Sequence, residues 1–435
     1  MKSADKINVI TLGCSKNTVD SERLLNQLRV NNFNITSDAD KADTVIINTC
    51  GFIEAAKEES INTILNAVAL KKEGKLKKII VAGCLSQRYK KELTAEIPEV
   101  DNYFGTEDYA DILKGLGGEL KYDLLGERLL SIPSHTAYLK ISEGCDHPCS
   151  FCAIPLMRGK HVSKPVEDLV KETEFLAASG TKELVIIAQD TTDYGKDLYS
   201  NKNISYLLNK LCEVDGIEWI RIMYAYPSKF PDDLIDLMAN NPKVCKYIDI
   251  PLQHISDDVL RSMRRGVTAK RTKELISKLR ERIPDIAIRT TFIVGYPNET
   301  EKDFKELCNF VDETKFDRVG TFTFSVGENT ASFILGDPVA EEEKLERKNT
   351  LMEIQKEISL VKNKSFIGKE LDVIIDGTEG SFYIGRSYRD APEVDGEILI
   401  PLNGFGLQTG DFCSVEINNY NEYDLYGKVI HRGRS

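Results

Sequence analysis

The 435-residue sequence contains a single tryptophan, five histidines and no apolar run close to the roughly 20 residues that a membrane-spanning helix requires. Its first residues, Met1 to Lys6, lead directly into a strand-like run and show no apolar signal-peptide core. Basic residues are in deficit, because 57 lysines and arginines face 69 aspartates and glutamates and the net charge is −12. General nucleic-acid binders normally carry a basic face. We therefore expect a cytoplasmic protein that neither enters a membrane nor binds RNA.

The ten cysteines are the most informative residues. In a chain without a secretion signal we expect reduced thiols and metal ligands, not disulfides. Three of them share one short segment, Cys145-Asp-His-Pro-Cys149-Ser-Phe-Cys152. Three thiolates at this spacing can hold a compact soft centre, either a 4Fe-4S cluster with one iron left open or a zinc ion. Zinc needs a fourth ligand, which only a cramped His147 could supply here, and inert buried thiols are the remaining alternative.

Three further cysteines each follow a β-branched run that reads as a strand. The runs are Ile7–Gly13, Thr44–Thr49 and Lys78–Gly83, and the cysteines are Cys14, Cys50 and Cys84. Alternation of such runs with helical patterns predicts an open parallel α/β sheet over residues 1–120, followed by a linker at 121–136. Carboxyl ends of parallel strands line a common crevice, so we expect these thiols to meet and hold a second cluster. The alternative for Cys14, Cys50 and Cys84 is that each thiol only packs against its neighbours. That structural role is the one we expect for Cys212, Cys245, Cys308 and Cys413.

From residue 137 to 338 six strand-helix repeats predict a partial (βα)6 TIM-like barrel. The expected strands are Tyr138–Ser142, Glu183–Gln189, Trp219–Tyr226, Tyr247–Leu252, Ala287–Val294 and Val319–Ser325. Active sites of such barrels lie at the carboxyl ends of the strands. The polar and glycine candidates that we expect there are Gln189, Asp190, Thr191, Arg221, Tyr224, Gln253, His254, Arg289 and Gly295.

The C-terminal part changes character. Residues 339–364 predict a connecting helix with Leu351, Ile354, Ile358 and Val361 on one face. Residues 365–435 contain short strands between glycine-rich turns, which predict a small all-β barrel. From Lys364 to Ser435 there are seven basic and twelve acidic residues. Such a module should repel RNA and favour a basic protein partner.

The Cys-x3-Cys-x2-Cys spacing resembles the signature of the radical S-adenosylmethionine (SAM) superfamily, in which SAM occupies the open iron. That resemblance implies that Phe151 lies near the adenine, Gln189 near the methionyl amine or the substrate, and Gln253 near the ribose. Gly295, in the segment Ile293-Val-Gly-Tyr-Pro-Asn-Glu-Thr-Glu301, is implied to present backbone to the adenine. Arg289 is a further SAM-binding candidate.

The C-terminal barrel resembles a TRAM domain, an OB-like module, and the order of all three parts resembles the methylthiotransferase family. Segments Gly13–Glu22 and Tyr138–Cys145 are similar to the branch that modifies a ribosomal protein. The tRNA-modifying branch generally carries Gln-Met where this chain has Ser15-Lys16. Proline is commoner at the position of Ser15 in the ribosomal branch, a departure that leaves the cysteines unchanged.

The resemblance implies methylthiolation of the β-carbon of one aspartate in small-subunit ribosomal protein twelve. One SAM would methylate a sulfur at an auxiliary 4Fe-4S cluster on Cys14, Cys50 and Cys84. A second SAM, at the 4Fe-4S cluster on Cys145, Cys149 and Cys152, would be cleaved reductively to give a 5′-deoxyadenosyl radical. The clusters carry the chemistry, and no protein acid or base is assigned. A monomer and an electron donor such as flavodoxin or ferredoxin are expected.

Two alternatives stay open from the sequence. One is a tRNA methylthiotransferase acting on an adenosine next to the anticodon. The other is a non-catalytic module that uses its cysteine sets for zinc or redox chemistry, which would require a fourth ligand at each zinc site.

Overall fold

The structure is a computed structural model that describes residues 5–124, 126–131, 134–402 and 404–433. It contains two compact units. The first comprises residues up to 131 with 138–146 and 153–175, and the second comprises 132–137, 147–152 and everything from 176 onward. Among the described residues, every helix is too short or too polar to span a bilayer.

The first unit contains a five-stranded sheet in the order β2-β1-β3-β4-β5, with parallel pairing throughout the described register. Strands β1 to β5 are Lys6–Thr11, Asn34–Ile35, Thr44–Thr49, Lys78–Gly83 and Asn102–Tyr103. Helices α1 to α4 are Ser15–Val30, Glu54–Lys72, Cys84–Glu96 and Tyr109–Gly115. Alternate residues of β3 face opposite sides, Val45 and Ile47 toward α2 and α3, and Ile46 toward α1 and α4. The predicted open parallel α/β sheet is confirmed, with β2 as an added edge strand.

The predicted linker at 121–136 is partly attached to α1. Leu125, Ile132 and Pro133 lie outside the described residues, and Tyr122–Leu124 forms one 3-10 turn. The guanidinium of Arg128 lies 3.2 Å from a carboxylate oxygen of Glu22, and the Ser131 N–H donates to Glu22 over 2.9 Å. Since both Arg128 and Glu22 are buried, this part of the segment is held in place by ionic contacts.

Six strands in sequential order, β13-β12-β11-β10-β9-β6, form the predicted partial barrel. They are β6 Thr136–Lys140, β9 Glu183–Ile187, β10 Trp219–Ile222, β11 Val244–Asp249, β12 Ala287–Val294 and β13 Arg318–Thr323, while β7 Ser142–Glu143 and β8 Val162–Ser163 form a short antiparallel ribbon. Helices α5 to α11 are Ile154–Arg158, Val166–Ala178, Ile204–Cys212, Asp232–Asn240, Asp257–Ser262, Ala269–Arg282 and Glu301–Thr314. Cys245 lies within β11, whereas the sequence placed it just before the strand.

Several strands end earlier than predicted. The strand expected to reach Tyr226 stops at Ile222, and Tyr224 has a φ of +60°. Gln253, four residues after β11, has a φ of +73°. Left-handed backbone is unusual for large side chains and interrupts a regular strand. Gln253 nevertheless keeps a single parallel bridge to Phe292 of β12.

The prediction that Arg289 lies at a carboxyl strand end is wrong, while Arg221 is the third of the four residues of β10 but directs its side chain toward the start of β9. Arg289 is the third residue of the eight-residue β12, and its guanidinium pairs with Asp249 at 3.0 Å and with Asp395 at 3.4 Å. Arg221 is fully buried and donates to Glu183, the first residue of β9. Both long side chains are drawn to carboxylates, because a buried guanidinium requires paired charge.

The C-terminal part forms a closed barrel of five strands in the order β14-β15-β16-β18-β17, as predicted. Its strands β14 to β18 are Glu370–Glu379, Phe382–Ser387, Ile398–Pro401, Phe412–Tyr420 and Leu425–Arg432, and helix α12, Glu341–Lys364, precedes it. Leu351 and Ile358 of α12 are buried, but Val361 is 65% exposed, so it does not belong to the buried face. That face is largely polar, and Arg347 on it pairs with buried Glu299 at 2.8 Å.

A buried ionic network joins the two barrels of the second unit. Arg386 of β15 donates to Glu183 over 2.8 Å and to Asp376 over 2.7 Å. Arg221 donates to the other oxygen of Glu183 over 2.8 Å and to the backbone carbonyl of Tyr388 over 2.6 Å. Although burial would raise the pKa of Glu183, Arg386 and Arg221 hold that pKa below its usual value.

We predict that Arg386→Met destabilises the second unit, because Glu183 and Asp376 would lose a buried cationic partner. Breaking a buried pair in this way costs about 3 kcal/mol. The expected result is a clearly lower urea midpoint and melting temperature, measured by circular dichroism.

Arg432→Met is the matched control for Arg386→Met. Arg432 pairs with Asp411 at 2.8 Å, but its side chain is 56% exposed. Exposed pairs contribute less than about 1 kcal/mol, so this variant should unfold close to the parent protein. Equal midpoint shifts for the two variants would contradict the network's importance.

Candidate metal centres

Three thiols of the first unit lie at the ends of neighbouring strands. Cys50 directly follows β3, Cys84 directly follows β4, and Cys14 follows β1 by three residues. Strand β3 lies between β1 and β4 in the sheet. Burial is the main cause that raises the pKa of Cys84, and charge repulsion from Cys14 and Cys50 adds to it. The structure therefore brings these three predicted residues together at one edge of the sheet.

The backbone at Gly13 closely approaches this triad. Gly13 has a φ of +94°, and a Cβ built on it would lie 2.6 Å from the Cβ and 2.9 Å from the Sγ of Cys50. Only glycine permits this approach and this left-handed conformation together. Three soft sulfur donors on one edge, with the backbone folded closely around them, fit the protein ligands of an iron-sulfur cluster.

Buried polar groups surround the thiol of Cys84. The Nε of Arg158 lies 3.3 Å from its Sγ, and an Nη of Arg158 donates to Asn17 over 2.6 Å. Burial raises the pKa of Cys84 to about 11, although Arg158 acts to lower it. Sequence reasoning missed Arg158, because it stands 74 residues from Cys84 in the chain and no spacing connects the two.

The second triad lies on the segment between β7 and α5. Cys149 and Cys152 belong to the second unit, where the Cys152 N–H donates to the Cys149 carbonyl over 3.2 Å. The Sγ of Cys149 lies 3.3 Å from an Nη of Arg265 and 3.7 Å from the hydroxyl of Tyr226. Cys145 belongs to the first unit. Arg265 and Tyr226 stand 116 and 77 residues from Cys149 in the chain, so no sequence spacing connects them to the triad.

His147, between two of these cysteines, contacts predicted strand-end residues. Its Nε2 lies 2.6 Å from Asp190 and 3.3 Å from Asp193. Its ring stacks on Tyr226 with the ring centroids 3.7 Å apart. Burial would raise the pKa of Asp190, but hydrogen bonds from His147 and Thr192 hold it below the usual value. These contacts connect the cysteine segment to the carboxyl ends of β9 and β10.

Three of the SAM-binding candidates are each related to Ile293, two of them by contacts and one by sequence. The Ile293 N–H donates to the Gln253 carbonyl over 2.8 Å, and its side chain shares an apolar cluster with Phe151. Gly295 follows two residues later, and a Cβ on it would lie 2.3 Å from the Cγ of Lys344 in α12. Gln189, half-buried after β9, immediately precedes Asp190. Arg289 is not part of this group.

Protein families match the chain in three consecutive regions. Residues 6–105 match uncharacterized protein family UPF0004, residues 139–311 match the radical SAM superfamily, and residues 367–430 match the TRAM domain. A relative from Cytophaga hutchinsonii, ribosomal protein uS12 methylthiotransferase RimO, is 52% identical over 427 residues, covering 98% of each chain. The chain belongs to the RimO methylthiotransferase family. It is a radical SAM transferase, which confirms the resemblance described above.

Other members of the RimO family are similarly related. Those from Chloroherpeton thalassium and Bacteroides fragilis are 49% and 48% identical and cover 98% of this chain, and 98% and 99% of their own lengths. The radical SAM methyltransferase TsrM from Kitasatospora setae, solved with cobalamin and a [4Fe-4S] cluster, has a TM-score of 0.57 at 12% identity, covering 76% of this chain and 74% of TsrM. OxsB, a cobalamin-dependent SAM radical enzyme, has a TM-score of 0.52 at 13% identity, and the match covers 80% of this chain and 56% of OxsB. At such identities these two structures show a shared fold only.

We predict that Gly13→Ala prevents the N-terminal triad from holding iron. The added methyl group would overlap Cys50, and the residue would be strained at its positive φ. Iron retained after anaerobic reconstitution should fall to the level of a variant in which Cys14, Cys50 and Cys84 are all alanine.

Gly74→Ala controls for backbone strain. Gly74 also has a positive φ, +75°, but a Cβ there meets nothing within 4 Å. This variant should keep the parent's iron content. If Gly13→Ala kept it too, the close packing at Cys50 would be unimportant for the triad.

In metal-free protein we predict that iodoacetamide modifies exposed Cys14 well before buried Cys84. The thiolate is the reactive form, so the rate at Cys84, with a pKa of about 11, should still be rising near pH 10. Peptide mass spectrometry after timed labelling measures both rates. Urea-unfolded protein, in which the two thiols should react alike, is the control, and equal rates in folded protein would contradict the prediction.

Proposed function

We propose that this chain transfers a methylthio group to the β-carbon of an aspartate in ribosomal protein uS12, which is small-subunit ribosomal protein twelve. The observation that carries the proposal is the meeting of Cys14, Cys50 and Cys84 at one sheet edge, in a chain that also has the Cys-x3-Cys-x2-Cys segment. A radical SAM enzyme needs only the cluster ligands of the Cys-x3-Cys-x2-Cys segment. A second set of three soft ligands provides a place for the sulfur that the transfer requires.

We assign one 4Fe-4S cluster to each triad: the auxiliary cluster to Cys14, Cys50 and Cys84, and the SAM-binding cluster to Cys145, Cys149 and Cys152. When bound, the clusters and two SAM molecules supply the electron, the hydrogen-abstracting radical, the methyl group and the sulfur. The protein's own groups hold and orient these species. Thus Arg265 and Tyr226 contact the Cys149 sulfur, and His147 is held by Asp190.

For SAM we propose contacts from Phe151, Gln189, Gln253 and Gly295. The support is that Gln253 bonds to the Ile293 N–H, that Phe151 packs against the same apolar cluster as Ile293, and that Gly295 follows Ile293 by two residues. In addition, Gln189 adjoins the Asp190 that holds His147. Arg289 has a different position. It pairs with Asp249, whose other oxygen accepts a hydrogen bond from the Tyr224 N–H over 3.1 Å. We therefore assign Arg289 an indirect role, in supporting the strand end at Tyr224.

A basic protein fits this chain better than RNA as a substrate. The net charge is −12, and residues 364–435 contain twelve acidic against seven basic residues. Part of that acidity is used internally, since Asp390 and Asp395 pair with Arg318 and Arg289 of the partial barrel. Glu370, Glu379 and other acidic side chains stay exposed, where they can attract a basic partner. We also propose that the enzyme works as a monomer in the cytoplasm, with flavodoxin or ferredoxin as the electron donor.

Mass spectrometry of ribosomal protein and tRNA tests the substrate. In a host that lacks its own enzyme, expression of this chain should add the mass of one methylthio group to a uS12 peptide, with fragmentation placing it on an aspartate. A Cys50→Ala variant should leave uS12 unmodified. A methylthio group on adenosine next to the anticodon, with uS12 unchanged, would instead identify a tRNA methylthiotransferase.

A further inference from the structure

Arg158 is a buried arginine that contacts both a triad cysteine and three polar residues of the first unit. It is the last residue of α5, and its side chain is 2% exposed. Its Nη1 donates to Asp20 over 2.8 Å and to Glu143 over 3.0 Å, and its Nη2 donates to Asn17 over 2.6 Å. The third nitrogen, Nε, donates to the Cys84 sulfur over 3.3 Å.

The carboxylates around Arg158 keep it charged. Burial alone would lower the pKa of Arg158, but Asp20, Cys84 and Glu143 raise it above its ordinary value. Lys140 also pairs with Asp20 and lies 2.6 Å from Glu143. Arg158 and Lys140 therefore both lie beside the carboxylates of Asp20 and Glu143.

A purely structural role for Arg158 would not need the contact with Cys84. Its two Nη atoms already connect α5 to Asn17 and Asp20 of α1 and to Glu143. A neutral thiol is a weak acceptor, whereas a thiolate accepts a strong, charge-assisted hydrogen bond from a guanidinium. The direction of Nε therefore suits Cys84 as a thiolate, which is its form as a metal ligand.

We propose that Arg158 is a positioning residue that donates a hydrogen bond to the Cys84 sulfur of the auxiliary cluster and thereby raises the reduction potential of that cluster. The inference rests on the proposed auxiliary cluster. Hydrogen bonds to cluster sulfurs stabilise the more negative, reduced state, so losing one lowers the potential.

The same segment also contacts the start of the other triad. The Cys145 N–H donates to the carbonyl of Gly159 over 3.1 Å, and Glu143, two residues before Cys145, accepts from Arg158. Arg158 and Gly159 are adjacent in sequence. Arg158 thus positions a ligand of one triad next to the backbone that holds a ligand of the other.

The test uses full-length protein in which Cys145, Cys149 and Cys152 are alanine, so that only the N-terminal triad can hold a cluster. Iron content and the midpoint potential, from a redox titration followed by EPR, are measured with Arg158, Arg158→Lys and Arg158→Gln. We expect the potential to shift to more negative values in Arg158→Gln. Lysine retains the charge but not the planar fork of donors, so Arg158→Lys should recover part of the shift.

Arg128→Gln is the matched control, since Arg128 is also buried in the first unit and contacts Glu22 of α1. It should leave the potential unchanged. An unchanged potential in Arg158→Gln, or an equal shift in Arg128→Gln, overturns the proposal. Loss of iron from both Arg158 variants, but not from Arg128→Gln, supports it, because the bond would then be needed to hold Cys84. No cluster in the Arg158 parent would refute the auxiliary cluster itself.

Discussion

Parallel strands that lie side by side end at the same edge of their sheet, and this constraint organises both candidate metal centres. In the first unit it brings together Cys14, Cys50 and Cys84, which are far apart in the chain. In the second unit it places Gln189 and Asp190, after β9, near Tyr224 and Tyr226, after β10. The Thr191 N–H donates to the Tyr224 carbonyl over 3.1 Å, which joins these two strand ends directly. The N-terminal triad, assembled in this way, needs no contiguous sequence motif, whereas Cys145, Cys149 and Cys152 share one short segment.

Buried charge is the second feature on which the structure depends. Arg158, Arg221 and Arg386 are each surrounded by carboxylates, thiols or backbone carbonyls that accept their hydrogen bonds. Such groups cost free energy to bury, and nearby opposite charges and hydrogen-bond acceptors offset that cost. In the second unit the pairing joins the partial barrel to the C-terminal barrel. In the first unit the buried charge of Arg158 lies beside the candidate metal ligand Cys84, where we propose that it affects the reduction potential.

The comparisons separate fold from activity. TsrM, solved with cobalamin bound, and the cobalamin-dependent enzyme OxsB share the fold at 12% and 13% identity. The RimO relatives share about half of all residues over nearly the full length of this chain. The proposed methylthio transfer therefore depends on the N-terminal cysteine triad, because the barrel fold alone does not imply an activity.

The sequence by itself determined the class of each part, because strand runs, helical periodicity and cysteine spacing are local properties of the chain. It also predicted the edge where Cys14, Cys50 and Cys84 meet, since that follows from parallel pairing alone. Only the tertiary structure decided where long charged side chains point. Arg221 and Arg289 lie in strands whose positions were foreseen, yet they reach toward carboxylates distant in sequence, while Arg158 reaches Cys84. Such pairing depends on which groups are buried together, and that is decided when the chain packs.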